Sequence, residues 1–119
     1  MSQSIHDFHD DPRNAHIRIW VNGALKHRAE AMVSVFDSGF VLGDGVWEGL
    51  RVCAGHPVFL SAHLERLYEG AKAILLDVGM TREQLIEAIY ATLAANTMHD
   101  GVHLRLMVTR GIKRTPYQD

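Results

Sequence analysis

From Val46 onward, the stretch VFDSGFVLGDGVWEGLRV (residues 35–52) alternates with a two-residue period. This sets Trp47, Gly49, Arg51 and Cys53 on one face of an extended strand and Val46, Glu48, Leu50 and Val52 on the other. The second set is the more apolar and is expected to face the core, leaving Glu48 to find a partner there. A flat aromatic, a gap and a guanidinium on the first face are what a pocket for a small carboxylate with an apolar side chain requires. Glycine weakens a strand, and it stands where a ligand or another backbone comes close. The plain alternative is an ordinary solvent-facing sheet surface.

Arg66 raises the same question on a helix. At 100° per residue it lies off the Leu64, Leu67, Ala71, Leu75 stripe, on a face shared with Gly70, Ala73 and, at one edge, His63. Small residues beside a long cation leave room for another surface, and the planar guanidinium suits bidentate binding of a phosphate or carboxylate. A surface pair with Glu69 is the alternative. In GVHLRLMVTRG, His103, Arg105, Met107 and Thr109 share one face of a closing strand, while Leu104, Leu106 and Val108 point to the core. Cys53 reads as a small packed residue and Asp44 as a turn residue. His6, Asp7, His9, Asp10 and Asp11 could ligate a metal, but no helix holds their spacing, so they read as a solvated tail and no metal site is assigned.

The elements that must position these residues follow from pattern. A polar arm over residues 1–14 precedes HIRIWVNGALKH, where Asn22-Gly23 is a hairpin turn with Ile17, Ile19 and Val21 on one face. AMVSVFD reads as a short strand and DSGFVLGDG as a glycine-punctuated loop. The strand from Val46 to Ala54 turns at Ala54-Gly55 into HPVFL. Ser61 is expected to cap a helix running to about Leu76, with Leu64, Leu67, Tyr68, Ala71, Ile74 and Leu75 as its apolar stripe and Gly79 as its stop. Thr81 and Gln84 form a capping box for a second helix, with Leu85, Ile86, Ile89, Tyr90 and Leu93 as its stripe. The order implies an α+β fold over residues 15–112, an antiparallel β-sheet with two α-helices packed on one side.

A chain of 119 residues, 47% apolar, fits one domain of moderate core. Its net charge of -2, with both signs interspersed, carries no electrostatic footprint for nucleic acid or an anionic membrane. One cysteine excludes an internal disulfide framework, and no apolar run reaches the roughly 20 residues needed to span a bilayer. The first residues lack the plan of a secretory signal. A cytoplasmic setting is expected.

The ordered trio FDSGFVLGDGVWEGLRV, HPVFLSAHLERLYEGAKAI and LRLMVTRG resembles the N-terminal small domain of the class IV, fold-type IV pyridoxal-phosphate enzymes. That family includes branched-chain amino acid aminotransferases, D-amino acid aminotransferases and aminodeoxychorismate lyase. The resemblance covers roughly Ile17 to Gly111 and is closest to the branched-chain type. It implies pyridoxal 5'-phosphate as cofactor, an amino acid and a 2-oxo acid as substrates, and a homodimeric full-length enzyme. It gives Arg66, the arginine of an H-L-x-R-L motif, the cofactor phosphate. Trp47, Gly49, Arg51 and Arg105 then face the substrate, and with Arg66 and Gly70 they are expected to form one surface, an interface covered by a second domain in the whole enzyme. Trp47 stands where the family has Phe or Tyr, and His103 where the branched-chain pattern has Tyr. Lys26, Lys72 and Lys113 match no catalytic position, so the lysine that forms the Schiff base is expected beyond Asp119, in a larger domain that the loop at residues 113–119 would lead to. A binding module of the same fold without catalysis is the alternative.

Overall fold

A computed structural model describes residues 11–113. The expected metal-capable tail therefore lies outside the described residues except for Asp11, as does the interdomain loop except for Lys113. Within the expected arm, Asp11 caps a 3-10 turn at Pro12–Asn14. Arg13 there donates to the carbonyls of Asp100 and Gly101, which ties this segment to the start of the closing strand.

Strands β1 (Arg18–Val21) and β2 (Ala24–His27) form the expected hairpin. Asn22 and Gly23 both take positive φ, 49° and 94°, the pair of left-handed residues that a twisted two-residue turn needs. The segment expected as a strand, AMVSVFD, forms none. Met32, Val33, Val35 and Phe36 are exposed, and only Asp37 makes an isolated bridge, to Ile112. The expected loop instead holds a short helix, α1 (Ser38–Leu42), whose N-cap is the Asp37 carboxylate and whose end is Gly43 at φ 66°. Gly39 lets α1 sit on the closing strand, since a Cβ there would come within 2.3 Å of the Thr109 methyl.

Strand β3 (Gly45–Cys53) pairs antiparallel with the two-residue β4 (His56–Pro57) and with β5 (Val102–Thr109), giving the order β4-β3-β5. The expected single sheet is thus two among the described residues, this one and the hairpin. Because β4 pairs only with Val52 and Cys53, the first half of β3 has no partner strand on that side among the described residues. The outer edge of β5 has no partner strand among the described residues.

Two helices cover one face of this sheet, as expected. Helix α2 (Leu60–Ala73) starts behind Phe59, whose left-handed backbone (φ 55°) supplies no side-chain cap. Ser61 lies inside the helix rather than capping it, and its hydroxyl and carbonyl accept from Arg82. The helix also ends earlier than Gly79 suggested, with Leu75 already at φ 56°. Ile74 and Leu75 therefore leave the apolar stripe and are exposed, Leu75 at 87%. Helix α3 (Arg82–Ala95) opens with the expected Thr81–Gln84 capping box. Leu64, Leu67 and Leu85 join the two helices, while Ile89 and Leu93 pack on Leu50 and Val52 of β3. The core therefore lies between the helices and the even-numbered face of β3.

Candidate functional site

On the outer face, β3 and β5 run in register with Trp47 opposite Met107, Gly49 opposite Arg105, and Arg51 opposite His103. All but Gly49 are exposed. The Arg105 guanidinium carbon sits 4.5 Å from the centroid of the Trp47 ring, one diagonal step across the strands, in a cation–π contact. The gap at Gly49 is occupied by this chain itself, because a Cβ there would stand 3.0 Å from the His103 Cε1. Four of the expected residues, Trp47, Gly49, Arg51 and Arg105, thus share one wall. It presents two guanidinium groups, an imidazole and an indole.

Arg66 and Gly70 do not belong to that wall, which corrects the reading of all six as one surface. A Cβ on Gly70 would touch the Val46 side chain at 3.4 Å, so this glycine lets α2 approach the inner face of the sheet, not a ligand. Arg66 turns to the same side. Its Nε lies 2.9 Å from Glu48 Oε2 and its Nη2 2.7 Å from Oε1, so the partner is Glu48 and not Glu69. His63, one helical turn earlier, places Nδ1 2.6 Å from the same Oε1. A carboxylate only accepts, so the imidazole proton sits on that nitrogen.

Glu48 is 5% exposed, and a buried carboxylate is costly unless it is paired and hydrogen-bonded. Arg66 holds its carboxyl below the ordinary glutamate range, burial pushes the other way, and His63 adds to the lowering. Arg66 is held above its own ordinary value by the same pair. The Arg66 side chain is nevertheless 72% exposed, and its Nη1 is bonded to no described residue. The arrangement is an anchored guanidinium with donors left over, which is chemistry for an oxyanion.

The other candidates separate from this site. Cys53, expected to be packed, is exposed at the end of β3. Asp44 accepts from Arg110, which also donates to the carbonyls of Ile74 and Leu75 just past the end of α2, a structural clasp between loop, strand and helix end. Lys26 lies on β2, Lys72 on α2 and Lys113 after β5, none of them on the wall. No group of three metal-ligating side chains occurs among the described residues. Nor is any described helix long and apolar enough to cross a membrane. Glu48 and His63 were missed as site residues. The signal was present, since His63-x-x-Arg66 puts two N–H donors on one helix face beside a strand with a lone inward carboxylate.

The described residues thus form a two-layer α+β domain with a basic, aromatic wall on the outer face of its sheet and an anchored, exposed arginine on the helix side. The chain belongs to the aminotransferase class IV family, whose model matches residues 45–118. It is 47% identical over 104 residues to branched-chain-amino-acid aminotransferase-like protein 1 of Arabidopsis thaliana, covering 87% of this chain and 19% of that protein. With the D-alanine aminotransferase of Staphylococcus haemolyticus it shares 35% over 95 residues, 80% of this chain and 33% of the relative. Its fold matches the branched-chain aminotransferase of the thermophilic archaeon Thermoproteus uzoniensis, solved with norvaline, at a TM-score of 0.73 and 31% identity, covering 84% of this chain and 35% of that one. The chain thus spans about a third or less of the length of these relatives.

Proposed function

We propose that this chain supplies the phosphate-holding arginine and one wall of the substrate pocket of a pyridoxal-phosphate-dependent aminotransferase acting on a branched-chain amino acid and a 2-oxo acid. The observation that carries the reading is Arg66, clamped by a buried carboxylate yet exposed, with N–H donors to spare. That donor set fits the phosphate end of the cofactor. Nothing on the wall fits the aldehyde end, since none of the three lysines stands there, and in this reading that amine lies beyond Asp119.

When bound, pyridoxal phosphate supplies an electrophilic aldehyde and a ring that takes up the electron pair released at the substrate α-carbon. The described residues would bind and orient. Arg66 would hold the phosphate, Arg51 and Arg105 would meet substrate carboxylates, and Trp47 would set the apolar side of the pocket. Trp47 and Glu48 are consecutive, so wall and anion handle flank the same half of β3, the half that β4 does not pair with. The reading includes a homodimeric whole in the cytoplasm, a setting in keeping with a single exposed cysteine.

The 35% identity to a D-alanine aminotransferase supports a second reading with D-amino acids as donors, in which Arg66 keeps the same role. Titration of the chain with pyridoxal 5'-phosphate tests the handle common to both. Loss of a hydrogen bond to a charged group costs about 1.5 to 3 kcal/mol, so Arg66→Ala is expected to weaken binding roughly ten- to a hundredfold. Because the substitution also takes from the buried Glu48 carboxylate its chief partner, some stability is lost, and circular dichroism of the variant first establishes that it is folded at the titration temperature. Unchanged affinity would reject Arg66 as the phosphate ligand and leave the fold with no assigned cofactor contact.

A further inference from the structure

We infer that Glu48 is the positioning residue of the Arg66 anion site, strengthening anion binding there although its own charge repels an anion. The inference rests on the reading of Arg66 as the phosphate ligand. Glu48 is fixed from behind: it lies within the β3–β5 ladder, opposite Leu106, and is buried on the inner face. It cannot follow Arg66 outward. The grip is side-on, using Nε (2.9 Å to Oε2, 3.2 Å to Oε1) and one side of Nη2 (2.7 Å to Oε1). This leaves Nη1 and the second hydrogen of Nη2, the parallel pair that forks onto two oxygens of a phosphate. His63 at 2.6 Å from Oε1 stops the carboxylate from swinging, so each oxygen of Glu48 is engaged.

An exposed arginine without such an anchor samples many rotamers and must give them up when it binds. Charge and positioning therefore predict opposite signs. If Glu48 mattered only through its charge, removing that charge would tighten the binding of an anion. If it positions the guanidinium, removal loosens it.

The test uses the 119-residue chain at neutral pH, with inorganic phosphate and pyridoxal 5'-phosphate as probes. Binding and the arginine Nε–H signals are followed by NMR on 15N-labelled protein. In the unsubstituted chain, Arg66 Nε–H is expected as a resolved, slowly exchanging signal. In Glu48→Gln it should lose that protection, and phosphate affinity should fall about tenfold, as is usual when a residue that orients a ligand-binding group is changed. Glu48→Asp keeps the charge and withdraws the carboxylate by one methylene. It should also weaken binding, and it serves if the glutamine variant fails to fold. In an Arg66→Ala background, Glu48→Gln should cause no further loss, because the two act as one device.

Equal or tighter phosphate binding in both Glu48→Gln and Glu48→Asp, with binding still lost in Arg66→Ala, would overturn the positioning role and leave the phosphate site standing. Binding unaffected by Arg66→Ala, or no phosphate response in the unsubstituted chain, would overturn the phosphate site, and the inference with it. The protected Nε–H signal would then report a purely structural ion pair.

Discussion

Arg105 lies over Trp47, its guanidinium carbon 4.5 Å from the ring centroid, although the two residues stand on different strands and are not directly opposite each other. The contact pins the end of a long cation over an exposed sheet face. A cation–π pair at an exposed site is worth about 0.5–1 kcal/mol. A double-mutant cycle with Trp47→Leu and Arg105→Gln, read by urea unfolding, is expected to show a coupling of that size. Strict additivity would mean that the two side chains do not meet in solution.

Two glycines are expected to respond with opposite signs. At Gly49 an added methyl crowds the exposed His103 ring, which can turn aside, and meets the Trp47 ring at an ordinary 3.8 Å, while alanine removes the roughly 0.5–1 kcal/mol entropic cost of glycine within a strand. Gly49→Ala should therefore leave stability equal or slightly higher while shifting the His103 ring resonances. At Gly39 the methyl would meet Thr109 Cγ2 at 2.3 Å in a packed contact, and overpacking costs about 1–3 kcal/mol. Urea midpoints of the two variants give the comparison, and a destabilised Gly49→Ala with an unaffected Gly39→Ala would contradict the packing described.

Acid should weaken the fold through Glu48. Its folded value is depressed, chiefly by Arg66, so its contribution is fully present above the unfolded glutamate value of about 4.3 and is lost as pH falls through the lower folded value. Asp44, lowered by Arg110, acts in the same direction. Urea midpoints measured from pH 7 down to about 3 should drop in the unsubstituted chain and drop less in Glu48→Gln. Parallel curves would show that the carboxylate is not linked to folding.

Truncating the core and truncating the stripe's outlier should differ sharply. Leu64 has no exposed surface, and Leu64→Ala is expected to cost about 2–5 kcal/mol. Leu75→Ala should stay within about 0.5 kcal/mol, because Leu75 projects from the chain after α2 has ended. Thermal unfolding of both variants checks the pair. Similar losses would mean that the helix continues as its periodicity first suggested.

That contrast marks where sequence is a sufficient guide and where it is not. Alternation in β3 and β5 was legible because one face of each is buried, and a one-residue slip would bury Trp47 and Arg51 in exchange for Leu50 and Val52. The hairpin and the α3 capping box were legible because Asn22-Gly23 and Thr81–Gln84 are local chemistry. The end of α2 was not, since Leu75 takes a left-handed conformation usually left to glycine. Helix α1, only five residues long, is set by the Asp37 cap and its fit against Thr109, a contact across 72 positions that no local pattern carries. Of the candidate site, the wall could be read from period two alone. The Glu48–Arg66 pair needed the placement of α2 on β3.

The outer edge of β5 has consequences for how the chain behaves in solution. Along Val102–Thr109 the main-chain groups pointing away from β3 meet no described strand, and the segment carries no proline or lysine of the kind that blunts an edge. Arg105 and His103 project from the sheet face and do not obstruct the edge itself. An extended segment arriving in antiparallel register could prolong the sheet there, and a second β5 would serve as well as any other. The same ladder that aligns the basic wall can seed aggregation, so refolding yield should fall as chain concentration rises.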